Sequence, residues 1–249
     1  MRRIAWSLVG IVFLLALAGC GGEDDPRAEA SSEGAPTVYA AASLTEVFPT
    51  IDSSARYSLA GSDELTTQIR EGAPADVYAA ASSKYPQELY EEGLVEEPVT
   101  FASNRLVVIV PKDNPAGLET VEDVARQGTK LVVAAEGVPV GDYTRTVLSD
   151  LGLEAALANV VSNEDDVKGV VAKVAIGEAD AGFVYATDAA AAGDDVRVVE
   201  LLEGSQPPIE YQIAVVSASK KRERAEAFVQ KVLGQDGREA LQAAGFLLP

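Results

Sequence analysis

The sequence predicts an α/β protein of two lobes, and three observations carry that reading. Short apolar runs rich in Val, Ala and Ile alternate with stretches of helical periodicity along most of the chain, the order in which strands and helices build on one another. Two segments, "NRLVVIVPKDNPAGL" (104–118) and "GSQPPIEYQIAVV" (204–216), each join an apolar strand to a Pro-rich polar stretch and read as crossovers. They would enclose a middle lobe, 114–206, and leave an outer lobe made from both ends, 37–113 and 207–249. The length from residue 37 onward suits one large domain or two small lobes. A lobe held by two connecting strands can hinge.

The first expected strand, Thr37–Ala41, runs into an alanine shelf and Ser43, and a helix is expected over 44–53, with Pro49 inside it. Ser43 with Glu46 has the spacing of a capping box. In "LAGSDELTTQI" (59–69), Gly61 permits close approach, Ser62 stands where a cap belongs, and Leu65 and Ile69 face inward from a helix at 63–71. A strand at 76–79, a helix at 84–92 and the strand Leu106–Pro111 follow, then a helix at 121–127 and a strand at 130–134. In "EGVPVGDYTRTVL" (136–148), Pro139, Val140 and Gly141 lead into a helix at 142–151 with Tyr143, Val147, Leu148 and Leu151 as its buried stripe. In "SNEDDVKGVVAKV" (162–174), Ser162 or Asn163 is expected to cap a helix at 165–176, where Val167, Val170, Val171 and Val174 share one face and Gly177 ends the run. Strands at Ala181–Tyr185, 196–200 and 212–216 and a helix at 220–233 complete the chain; "KKRER" (220–224) is a solvated helix face.

The N-terminus precedes all of this with Arg2 and Arg3, an apolar run from Ile4 to Ala18, and Gly19 before the one cysteine, Cys20. That is the order of an export signal, and it is short for a bilayer span, which needs about 20 apolar residues. "LALAGC" (15–20) resembles the lipobox of bacterial lipoproteins, which implies a signal peptide at 1–19, cleavage before Cys20, and acylation of Cys20 as a membrane anchor. The acidic stretch at 20–36 has no large apolar side chain and reads as a flexible tether.

Composition excludes as much as it suggests. Removing Arg2 and Arg3 from 20 basic residues, against 39 acidic ones, leaves a mature chain near −21, which argues against nucleic acid as a partner. With no histidine, Ser-His-Asp and Cys-His machinery is impossible and most zinc sites are unavailable. The nucleotide-binding and nucleophile-elbow motifs GxxxxGK[ST], GxGxxG and GxSxG are absent as well. One cysteine allows no internal disulfide.

Four places, at Ser43, Ser62, 139–141 and 162–167, share one design: a strand end, a small or polar residue, and a helix start. Each helix start leaves about four backbone N–H groups unpaired and a partial charge of about +0.5, so several aimed at one cleft could hold an anion without a cationic side chain. Each alone is more usually just a cap worth about 1 kcal/mol, and it is their conjunction that carries weight. Tyr185, at the end of a strand in "AGFVYATDA" (181–189), could add a phenolic donor or be a half-buried aromatic with a satisfied hydroxyl. The acids of "NEDD" (163–166) lack the glycine and spacing of a calcium loop.

At these residues the sequence resembles the molybdate-binding proteins of bacterial molybdate ABC transporters. The resemblance lies in "VYAAASLTEVF", "GSDELTTQIREGAPADVYAAA", "NRLVVIVPKDNP", "VPVGDYTR", "SNEDDVKGVVAKVAIGEADAGFVYATDA", "EYQIAVV" and "AFVQKVLGQDGREALQAAGF", which follow the family's order from Val38 to Phe246. It implies a two-lobed periplasmic-binding-protein fold of type II, with two connecting strands, closing on tetrahedral molybdate or tungstate. It further implies hydroxyl and backbone donors at Ser43 and Ser62, backbone N–H donors at Val140 and Val167, and a phenolic donor at Tyr185. The implied role is a lipid-anchored monomer on the outer face of the cytoplasmic membrane or in the periplasm, not an enzyme, with no cofactor and no metal cation ligand, delivering its anion to an ABC permease. Other readings are a receptor for sulfate or phosphate, a ferric-ion binder, against which the absence of adjacent tyrosines in this sequence counts, and an exported hydrolase. Position 63 is Asp where the family usually has a small or neutral residue, and its carboxylate is expected to face solvent; position 140 is Val where Ala is common, without consequence for an amide donor.

Overall fold

The computed structural model describes residues 34–249 apart from residue 203. The export signal, Cys20 and the tether up to residue 33 lie outside the described residues. Two five-stranded sheets organise the chain. The first contains β1 (Thr37–Ala41), β2 (Arg56–Ala60), β3 (Val77–Ala80), β4 (Val99–Asn104) and β10 (Ile209–Val215), in the order β2-β1-β3-β10-β4. The second contains β5 (Leu106–Pro111), β6 (Leu131–Ala134), β7 (Val160–Glu164), β8 (Ala181–Tyr185) and β9 (Val196–Val199), in the order β7-β6-β8-β5-β9.

The two sheets repeat one plan. In the first, β1 runs parallel to β2 and β3 while β10 is antiparallel to β3 and β4. In the second, β6 runs parallel to β7 and β8 while β5 is antiparallel to β8 and β9. Parallel strands are followed by helices that start at their carboxyl ends. The short α1 (Phe48–Ile51) follows β1 after a 3-10 turn, Ala42–Leu44; α2 (Ser62–Arg70) follows β2, and α3 (Lys84–Glu91) follows β3. In the second half α4 (Pro139–Asp150) follows β6, α5 (Val167–Ala175) follows β7 and α6 (Ala186–Ala192) follows β8. The closing helices α7 (Arg222–Leu233) and α8 (Gln235–Ala243) return to the first half, where α7 places Phe228 edge-on to Phe48, ring centroids 5.6 Å apart.

The chain crosses between halves at Arg105, between β4 and β5, and returns between β9 and β10. The first crossing is therefore earlier than the expected boundary at 113/114: the strand Leu106–Pro111, expected in the outer lobe, is hydrogen-bonded to β8 and β9 in the second sheet. Its unbroken burial on both faces fits that position between two neighbours. The expected helix at 44–53 is split, because Ser43 and Leu44 belong to the 3-10 turn and Pro49 occupies the first turn of α1.

Candidate functional site

In both halves the carboxyl ends of the parallel strands face the junction, where open α/β sheets leave a crevice. A cavity of about 20 Å³ lies there, bounded by Ala41, Ala42 and Ser43 after β1, by Ala60, Gly61 and Ser62 at the start of α2, and by Ala81 after β3. The other half closes it with Val138, Pro139 and Val140 at the start of α4, Asp166 and Val167 at the start of α5, and Tyr185 at the end of β8. The five residues singled out from the sequence, Ser43, Ser62, Val140, Val167 and Tyr185, thus all line one cavity, and all are buried. A single water needs about 10–15 Å³ of such space, so the cavity suits one small polyatomic ion rather than a sugar or peptide.

The lining is neutral on the donor side. Val140 and Val167 lie in the first turns of α4 and α5, where N–H groups lack an i−4 partner. Ser62 is the first residue of α2; its Oγ accepts from the Ala81 N–H at 3.2 Å, which leaves the hydroxyl hydrogen for the cavity. Ser43 Oγ lies 2.9 Å from the Tyr211 hydroxyl. Tyr185 is 2 % exposed and its hydroxyl has no hydrogen-bond partner, an uncommon state for a buried polar group. Burial also holds its phenol well above the usual ionisation range, so it is an O–H donor at any physiological pH. No Lys or Arg side chain lines the cavity. Lys168, next to Val167, is engaged elsewhere, 3.1 Å from Asp188 and 3.7 Å from Glu46.

The alanines at 40–42 explain the shelf at the end of β1: with side chains this short, the strand end and the following turn line the cavity with backbone and the Ser43 hydroxyl. Gly61 acts similarly across the junction. A Cβ there would stand 2.7 Å from the Asp165 carbonyl oxygen in the other half, although φ at Gly61 is −58°, open to any residue. The Tyr85 hydroxyl donates to the Gly137 carbonyl, and Lys84 Nζ lies 3.9 Å from Asp142, so the halves also meet at the rim.

Three local expectations are corrected. Ser43 and Glu46 form no capping box, since Ser43 sits inside the 3-10 turn and Glu46 instead faces Lys168. Neither Ser162 nor Asn163 caps α5; both belong to β7, and Asp166 is the cap, its Oδ1 accepting from Gly169 N–H at 2.9 Å. Asp immediately before the apolar-periodic run was the available sequence signal for that cap. Asp63 faces solvent only in part: the residue is half-buried, and its Oδ1 is buried without a hydrogen-bond partner and is one of two atoms that a Gly61 Cβ would meet at 2.7 Å. Burial raises its carboxyl pKa, the N–H groups of Asp63 and Glu64 oppose this, and Asp142 and Asp165 across the junction add to it. It is not among the cavity-lining residues.

Tyr211 and Asn104, behind Ser43, were not singled out from the sequence; an aromatic and an amide in strands carry no local mark of a site. Among the described residues no cluster of His, Cys, Asp and Glu could hold a metal ion, and no helix is long and apolar enough to cross a membrane.

A family described as bacterial extracellular solute-binding protein matches residues 37–247. The chain is 34% identical over 268 residues to the molybdate-binding protein ModA of Mycobacterium tuberculosis, with all of both chains covered. Among solved structures, the substrate-binding domain of a putative molybdenum ABC transporter from Clostridium difficile is 31% identical, with a TM-score of 0.62, 86% of this chain and 98% of that one covered. The periplasmic molybdate-binding protein of Azotobacter vinelandii shares the fold at a TM-score of 0.74 and 24% identity, over 86% of this chain and 99% of its own.

Proposed function

Since the chain belongs to the bacterial extracellular solute-binding proteins and has their two-lobed α/β fold, we propose that it captures molybdate or tungstate in the cavity between its halves and delivers it to an ABC permease. The observation that carries this reading is the convergence of Ser43, Ser62, Val140, Val167 and Tyr185 on one small cavity with no cationic side chain and an unpaired, buried Tyr185 hydroxyl. Ser43 and Ser62 would bind through hydroxyl and backbone N–H, Val140 and Val167 through N–H alone, and Tyr185 through its phenol. Hydrogen bonds to a charged group contribute about 1.5–3 kcal/mol each, so such a set supports firm binding of a dianion. Neutral donors also leave release to the permease unhindered by ion pairs that would have to break. Relatives named for molybdate support the choice of anion.

The lipobox-like "LALAGC" supports an acylated Cys20 and a tether that keeps the binding domain near the membrane carrying the permease. The absence of histidine supports binding without turnover. Tungstate would share the site because it has the same tetrahedral shape and charge.

Thermal melting of the purified protein with molybdate, tungstate, sulfate or phosphate tests the reading. At a hundredfold excess over its dissociation constant a ligand adds about 2.7 kcal/mol, which at this size raises the melting temperature by roughly 5–10 °C. Molybdate and tungstate should give that rise. A rise with sulfate or phosphate alone would assign the cavity to another oxyanion, and no rise with any of the four would remove the proposal.

A further inference from the structure

Behind Ser43 lies a chain of buried polar side chains that crosses from one half to the other. Tyr211 on β10 is fully buried, and its hydroxyl is 2.9 Å from Ser43 Oγ and 3.4 Å from Asn104 Nδ2. The same Nδ2 donates to Thr187 Oγ1 at 2.9 Å, in the first turn of α6. The orientation of the Asn104 amide follows from chemistry: the backbone N–H of Arg105, which can only donate, lies 2.9 Å from Oδ1, so the NH2 group faces the two hydroxyls. Asn104 is the last residue of β4, directly before the crossing between halves.

The Asn104 NH2 only donates, so the Tyr211 oxygen accepts from it, and the Tyr211 hydrogen remains available to Ser43. Either hydroxyl of the Ser43–Tyr211 pair can donate while the cavity is empty. An oxyanion only accepts, so it takes the Ser43 hydrogen, and the Ser43 oxygen then needs a donor behind it. Tyr211 is the hydroxyl in reach.

Resting on the oxyanion reading of the cavity, we propose that Tyr211 is a positioning residue for anion binding: held by Asn104, it donates to Ser43 Oγ and thereby turns the Ser43 hydroxyl into a donor toward the cavity. Ser62 is oriented by the same logic in another form, its oxygen accepting from the Ala81 N–H at 3.2 Å. The difference is that the Ser62 partner is backbone within its own half, whereas the Ser43 partner is a side chain tied through Asn104 to Thr187 of the other half. The state of the Ser43 hydroxyl is therefore linked to the point where the halves join.

Calorimetric titration with molybdate in a double-mutant cycle tests this. The rings of Phe101, Tyr185 and Phe246 pack edge-on against Tyr211, and Tyr211→Phe keeps those contacts while deleting the hydroxyl. The expected result is roughly tenfold weaker binding for Tyr211→Phe, about one hydrogen bond, and no further loss when Tyr211→Phe is added to Ser43→Ala. Asn104→Ala, which removes the donor to Tyr211, should repeat the pattern more weakly and serves where Tyr211→Phe does not fold. Unchanged affinity in these variants, or the same fold-loss with and without the Ser43 hydroxyl, would overturn the proposal and leave a purely structural role. If the unmodified protein binds none of molybdate, tungstate, sulfate and phosphate, the oxyanion reading itself fails, and this inference with it.

Discussion

Ser43 and Ser62 present the plainest residue-level consequence of a neutral cage. Each is buried in the cavity wall, and in the proposed complex each aims its one hydroxyl hydrogen at the anion. Ser43→Ala and Ser62→Ala should each weaken molybdate binding by about 1.5–3 kcal/mol, or roughly ten- to a hundredfold, while the ligand-free protein remains folded; calorimetry with melting of the unliganded variants checks both parts. Asp188 supplies a second, pH-dependent test. Burial raises its carboxyl pKa from 3.8 to about 6, against the pull of Lys168 at 3.1 Å. A carboxyl that holds its proton more tightly folded than unfolded makes the folded state bind more protons between these values, so its contribution to stability is present at the acid end and lost as pH rises. In Asp188→Asn that loss is gone: the melting temperature of the variant relative to the unmodified protein should climb between about pH 4 and 6 and then level off. A difference that falls over this window would contradict the assignment. The five cavity residues were legible from sequence because strand-end, small-residue and helix-start motifs, together with the family resemblance, mark them. Tyr211 was not, because its significance lies in contacts with Ser43 and Asn104, which are 168 and 107 residues away in the chain.

At the scale of elements, two glycines of similar crowding have opposite meanings. At Gly61 the obstacle to a Cβ is the Asp165 carbonyl of the other half, together with the movable Asp63 side chain. Gly61→Ala should therefore leave the unliganded protein about as stable as before but hold the halves apart and weaken anion binding at least tenfold, a split between melting and titration that a core defect would not give. At Gly141 a Cβ would stand 2.2 Å from the Ala135 carbonyl and 2.5 Å from that of Ala134, both within the same half as α4. Gly141→Ala should destabilise the protein with or without ligand, by about 1–3 kcal/mol from overpacking, as a melting series would show. The alternation of elements could be read from the sequence, but β2, β4 and β7 could not. All three are sheet edges. An edge strand lacks a neighbour on one side and is partly exposed, so "RYSLA", "VTFASN" and "VVSNE" mix polar with apolar residues and lose the unbroken run that marks β5 or β8. The lobe boundary was misplaced for a related reason: Pro111 and the polar stretch after it look like a domain exit, whereas the chain crosses at Arg105 between two strands with no break in composition.

Over the whole molecule the proposed ligand and its binder have the same sign. The chain carries 39 acidic and 20 basic residues, a net charge of −19, yet the cavity has no cationic side chain to offset the mean field. Attraction must come from local dipoles at short range, while the distant charges repel at long range and are screened by salt over about 10 Å at 0.1 M. This gives the most direct test of the central claim, that uncharged N–H and O–H groups from two halves hold the oxyanion: calorimetric titration with molybdate as ionic strength rises from about 0.02 to 0.2 M. The account predicts affinity that holds steady or strengthens as salt screens the acidic surface. A steep loss of affinity with salt, the behaviour of a site built on Lys or Arg, would contradict it.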